Sequence, residues 1–213
     1  MYENVKEKIQ NLAIKYSTKL ASQMSNRENE MLSDSNEHYL LYKVLGITTV
    51  EGQLIDLYQN KGRFLYKYAG SFLEESALIC FESKFADAKT KVKVENKIGK
   101  KPKMFEIDCL VDNFAIEIKW RDATTDGDHI TKEHTRLLNM KNHGYTPVRL
   151  MFYYPNRTQA MKIQNTLKTV YIGVQGEYYS GTEAWQYLEN KTGINLLQIL
   201  EEIVQTETKT SKL

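Results

Sequence analysis

The stretch FEIDCLVDNFAIEIKWRD, residues 105–122, limits what this chain can fold into more than any other. Two apolar runs, 104–111 and 114–120, are separated only by Asp112 and Asn113, the short polar step of a β-hairpin. Side chains two apart in a strand share a face, so Glu117 and Lys119 project together while Ile116, Ile118 and Trp120 turn to the core. Pairing across the turn brings Asp108 towards Glu117. Two carboxylates and an ammonium then meet on one side of a sheet, in a segment otherwise so apolar that unpaired charge there would be costly.

The remaining pattern frames this hairpin. Val5, Ile9, Leu12, Ala13, Tyr16 and Leu20 recur at helical spacing over 2–24. The polar stretch 25–37 reads as a loop, and 38–45 as a short helix stopped by Gly46. Two more helices are expected at 50–65, with Gly62 as a weak point, and at 69–81. Alternation over 90–95 marks an exposed strand, and 98–103, punctuated by Gly99 and Pro102, a turn. After the hairpin come a charged helix at 130–142, a central strand in the apolar run 147–154, a helix at 157–167 and a strand at 170–174. Helices at 182–190, with Thr182 as N-cap, and at 195–204 close the chain. Helices followed by mingled strands and helices imply an α/β fold with a central mixed β-sheet flanked by helices and an N-terminal helical region. The expected divisions are 1–68 for the helical region, 69–206 for the core and 207–213 for a polar tail.

Composition narrows the classes. A chain of 213 residues can bury a core without disulfides or metal staples. Cys80 and Cys109 sit within apolar runs and read as buried free thiols of a reducing compartment. No run approaches the ~20 apolar residues of a membrane span and the first residues lack a signal-peptide core, so a soluble, cytoplasmic protein is expected. The net charge of +2 decides nothing about nucleic acid, but eight lysines stand against two acids between Lys84 and Lys103. There is no GxxxxGK[ST] phosphate loop and no defensible helix-turn-helix. His129 and His134 are five apart, wrong for an HExxH zinc site, and the cysteines lack zinc spacing.

The hairpin carries the chemistry. Asp108 and Glu117, with a backbone carbonyl such as that of Ile118, are hard oxygen donors suited to Mg²⁺, which keeps several waters and takes a further partner from substrate phosphate. Lys119 can orient or deprotonate a water and neutralise charge developing on a phosphoryl group. The plainer alternative is a polar stripe with an incidental cross-strand ion pair. Directly behind the hairpin, residues 121–136 gather groups that hold phosphates or read base edges: Arg121, Thr124, Thr125, Asp128, His129, Lys132, His134 and Arg136. Lys100 and Lys101 of the preceding turn add positive charge.

The order Asp108, then Glu117-x-Lys119, after an acidic helix resembles the PD-(D/E)xK nuclease superfamily, with Ile107 where the signature proline would stand. The resemblance implies an upstream glutamate near the metal. AGSFLEES offers Glu74 for it, with Glu75 as the competing choice. Within the superfamily, AIEIKWRDATTDGDHITKEHTR and the later YYSGTEAWQYLENKTGINL are similar to the ApaLI-type type II restriction endonucleases. That resemblance implies Mg²⁺-dependent hydrolysis of phosphodiester bonds in double-stranded DNA, at a palindromic site, by a homodimer. It assigns catalysis to Asp108, Glu117, Lys119 and Glu74, and the metal to Asp108, Glu117 and Ile118. The helices of 2–65 are candidates for the dimer interface. A cognate methyltransferase is expected in the same system without being a physical partner. The alternative is a structure-specific nuclease, of junction-resolving or repair type, built on the same core. A non-enzymatic module ranks last, because it would leave all three hairpin residues without a task.

Overall fold

The computed structural model describes residues 1–99, 101–121 and 127–210. The chain forms two compact units, one of residues 11–72 and one of residues 1–10 with 73–213. The α/β architecture anticipated from the pattern is the one that forms: a central mixed sheet flanked by helices, with an N-terminal helical region.

The 11–72 unit is helical, built from α1 (Tyr2–Ser33), α2 (Tyr39–Val44) and α3 (Thr49–Lys84). Here α1 and α3 run antiparallel: Tyr16 meets Tyr68 and Phe72 edge-on, while Arg27 reaches Asn60 and Glu28 pairs with Lys61 at 2.6 Å. The Tyr42 hydroxyl of α2 donates to Asp56 of α3. A Cβ at position 52 would come within 2.6 Å of the Tyr42 ring, so only glycine permits this approach.

Two expectations are corrected in this region. The stretch 25–37 is not all loop, because α1 continues to Ser33. It holds neither Gly nor Pro, and Arg27 and Glu28 find partners on α3. The helices expected at 50–65 and 69–81 are one helix of 36 residues. Gly62 and Gly70 each cost roughly 1 kcal/mol against Ala, too little to break a helix whose later turns bury Leu73, Ala77, Leu78 and Phe81.

The other unit holds the sheet. Its strands are β1 (Lys89–Glu95), β2 (Met104–Val111), β3 (Phe114–Arg121), β4 (Thr146–Tyr153) and β5 (Glu177–Ser180), and they lie in that order. β1, β2 and β3 pair antiparallel; β4 joins β3, and β5 joins β4, in parallel. α4 (Asp128–Asn142) and α5 (Thr158–Gly173) supply Leu137, Ile163, Leu167 and Tyr171, which pack with Met151 and Tyr178 of the sheet. Met140 of α4 joins Val94, Phe105, Ile107, Leu110 and Ala115 in a second cluster. α6 (Thr182–Thr192) sets Trp185 edge-on to Phe152, with ring centroids 4.4 Å apart. α7 (Leu196–Thr210) pairs Glu202 with Lys6, holding the first turns of α1 to this unit.

Two further corrections fall here. Residues 170–174 are not a strand: α5 runs through to Gly173, and the strand is β5. The β-branched run misleads, because Ala160, Ile163, Gln164, Leu167 and Tyr171 form one buried helical stripe. A Cβ on Gly176, just before β5, would lie 2.6 Å from the Pro147 carbonyl oxygen, so the turn passes there only as glycine. The N-cap of α6 is Gly181, at φ 56°, and not Thr182, which is the first helical residue.

Candidate active site

The β2–β3 ladder runs from the turn only as far as Cys109 opposite Ile116. Beyond that point the Asp108 side chain acts as the acceptor, its Oδ2 taking the Ile118 N–H at 2.7 Å. The β1–β2 ladder is interrupted at the same place. Thr90 pairs with Cys109 and Val92 with Ile107, but Lys91, between them, adopts φ 52°. A left-handed lysine is strained backbone of the kind that collects at functional sites. Asp108 therefore sits where both ladders that flank its strand are broken.

Glu117 is buried and both its oxygens are engaged. Oε1 is ion-paired with the Lys119 ammonium and Oε2 with the Arg136 guanidinium of α4. Arg136 also donates to the Glu106 carbonyl at 2.8 Å and lies 3.6 Å from Glu133. Glu133 Oε1 accepts from the Tyr171 hydroxyl at 2.6 Å and faces Arg149 at 3.4 Å. Arg149 lies beside Glu117 in the β3–β4 register and is fully buried. A chain of charge thus runs from Glu117 through Arg136 and Glu133 to Arg149 and Tyr171.

The electrostatics separate the two carboxyls. Burial and repulsion from Glu117 push the Asp108 carboxyl up to about 7, against the pull of Lys119 and the Ile118 hydrogen bond. Burial acts on Glu117 in the same direction, but Arg136 and Lys119 outweigh it and hold Glu117 well below the usual carboxylate range. Burial opposes the Lys119 ammonium; the Glu117 and Asp108 carboxylates prevail and raise its pKa.

Glu74, half-buried on α3, belongs to the same field. Its pKa is raised by burial first, lowered by Lys119 and Lys91, and raised again by Glu117 and Glu75. It also contributes to the upward shift of Asp108. The structure thus gathers Asp108, Glu117, Lys119 and Glu74 into one electrostatic cluster.

The residues expected at DNA are spread more widely. Arg121 is exposed at the end of β3; Asp128, Lys132 and His134 are exposed on α4, and His129 is half-buried there. Lys101 is exposed in the turn before β2. Arg136 faces inward to Glu117. Lys100, Thr124 and Thr125 lie outside the described residues. Sequence reasoning missed Lys91, Glu133, Arg149 and Tyr171. The available signal was Arg149, a lone charge in an apolar strand. Both cysteines are free and buried, with burial pushing each thiol up to about 12.

Among the described residues no three His, Cys, Asp or Glu side chains already converge as a metal cage. The donor set still suits a hard divalent cation. Mg²⁺ needs only one or two carboxylates beside water and substrate oxygens, and the Asp108–Glu117 repulsion is what such a cation relieves.

A mixed α/β sheet carrying two buried carboxylates and a lysine, where an antiparallel hairpin meets a parallel strand, has the make-up of a nuclease core of the restriction type. Residues 1–205 match the ApaLI-like restriction endonuclease family, and the chain belongs to that family. It is accordingly a nuclease of a restriction system. A search of curated proteins found no match.

Proposed function

We propose that the chain is a type II endonuclease that cuts double-stranded DNA at a specific, palindromic site, using Mg²⁺ and acting as a homodimer. The observation that carries this reading is the Asp108–Glu117–Lys119 cluster at the ladder break, in a chain of the ApaLI-like family. Two-fold DNA sites are matched by two-fold proteins, which favours one active site per strand.

Asp108, Glu117 and the Ile118 carbonyl would hold the cation, with Glu74 as a further carboxylate near it. When bound, the cation supplies counter-charge to the scissile phosphate and acidity to the attacking water. Lys119 orients that water and neutralises charge as the phosphorus becomes five-coordinate. Arg136, anchored by Glu106 and Glu133, balances Glu117 and keeps its carboxylate ionised. Arg121, Thr124, Thr125, Asp128, His129, Lys132 and His134, with Lys100 and Lys101, are assigned to DNA contact.

Glu117→Gln and Lys119→Ala should each lower the cleavage rate by at least about a hundredfold, the scale of one electrostatic group, while duplex binding is largely kept. Single-turnover cleavage and a binding isotherm measured on the same duplex check both halves. Near-wild-type cleavage by either variant removes that residue from the mechanism.

A further inference from the structure

Charge on the 11–72 unit is segregated. Residues 11–27 and 57–72 carry Lys15, Lys19, Arg27, Lys61, Arg63 and Lys67 and no acid, with Arg27 and Lys61 ion-paired to Glu30 and Glu28, whereas 28–56 holds all six acids of the unit and one lysine. The acid-free stretches of α1 and α3 face each other through the Tyr16–Tyr68 contact. A groove of about 580 Å³ runs there, lined by Lys19, Lys67, Ser22, Gln23 and Ser71 beside the two tyrosines. Among the described residues its lining contains no carboxylate.

Two features mark the groove as built for an anion. Lys15 and Lys19 on α1, and Arg63 and Lys67 on α3, stand at i,i+4, where like charges repel and destabilise a helix. The exposed charge on these stretches is of one sign only, with Lys15 and Lys19 over the Tyr16 ring and Lys67 over the Tyr68 ring, so the groove presents positive charge beside aromatic faces. The two helices also present Ser22, Gln23 and Ser71, neutral donors of the type that hold phosphate oxygens without reading bases.

We infer that this α1–α3 groove, in the helical unit, is a phosphate-backbone contact for duplex DNA. The inference rests on the nuclease reading and adds a non-specific anchor to it. Lys19 and Lys67 each neutralise one phosphate and release its counterions, so they act on affinity and not on the choice of sequence.

The test uses the full chain carrying Lys19→Gln and Lys67→Gln together, with Lys43→Gln, in the acidic part of the unit, as control. Binding to a duplex of arbitrary sequence is followed in Ca²⁺ between about 50 and 200 mM salt. The slope of log K against log salt should fall by roughly 0.9 for each lost contact in the double variant and stay unchanged in the control. All the altered side chains are exposed, so thermal unfolding should match wild type and separates a binding effect from a folding one. A wild-type slope in the double variant, with wild type still cutting DNA, overturns the groove alone. A wild type that neither binds nor cuts duplex DNA overturns the nuclease reading and the groove with it.

Discussion

Asp108 is held in a position that costs the metal-free protein stability. Its carboxyl is raised in the folded state to about 7, by burial and by Glu117, from an unfolded value near 3.8. Stability from the protonated form is therefore present below pH ~4 and is lost as pH rises through about 7, at roughly 1.4 kcal/mol per pH unit of difference. Asp108→Asn removes that penalty, and its carbonyl oxygen can still accept the Ile118 N–H. We expect the metal-free variant to melt several degrees above wild type at pH 8, to lose this advantage near pH 4, and to be inactive. Equal melting temperatures at both pH values would show that Asp108 is not strained in this way. The proximity of Asp108, Glu117 and Lys119 was legible because a hairpin and a period of two need only local sequence. The link from Glu117 through Arg136 and Glu133 to Arg149 was not, since it joins three elements and nothing short-range encodes it.

At the scale of elements, α4 is fastened to the sheet by charge as well as by Leu137 and Met140. Arg149 of β4 and Tyr171 of α5 both meet Glu133 of α4, away from water. Removing one partner of a buried ion pair strands the other, at a cost of roughly 3–5 kcal/mol. Arg149→Met should lower the melting temperature by about 2–4 °C for each kcal/mol lost, whereas Lys132→Ala, exposed on the same helix, should leave it nearly unchanged. If Arg149→Met melts with wild type in a denaturation scan, the network does not hold α4. The elements themselves were readable where the period was strong, as in β2, β3, β4 and α4. Reading failed where two signals competed. Glycine in α3 suggested a break that burial overrode, and β-branched residues at 170–174 suggested a strand where Tyr171 completes a helical stripe.

The whole molecule divides where no linker announces it. The boundaries near residues 11 and 72 fall inside the continuous helices α1 and α3, so composition could not mark them. Family membership was legible because the phrase from Ala115 to Arg136 lies together in sequence. With Asp108, this phrase is proposed to make a Mg²⁺-dependent, site-specific nuclease. Digesting a sequenced plasmid with purified protein in Mg²⁺, in Ca²⁺ and in EDTA, and sequencing the ends, decides this. Cuts are expected at a few discrete positions sharing one palindromic sequence in Mg²⁺, with no cutting in EDTA. In Ca²⁺ binding without cleavage is expected, because the larger ion takes the same oxygens at longer, looser distances. Ends scattered over many sequences, cutting confined to branched DNA, or turnover in EDTA would contradict the proposal.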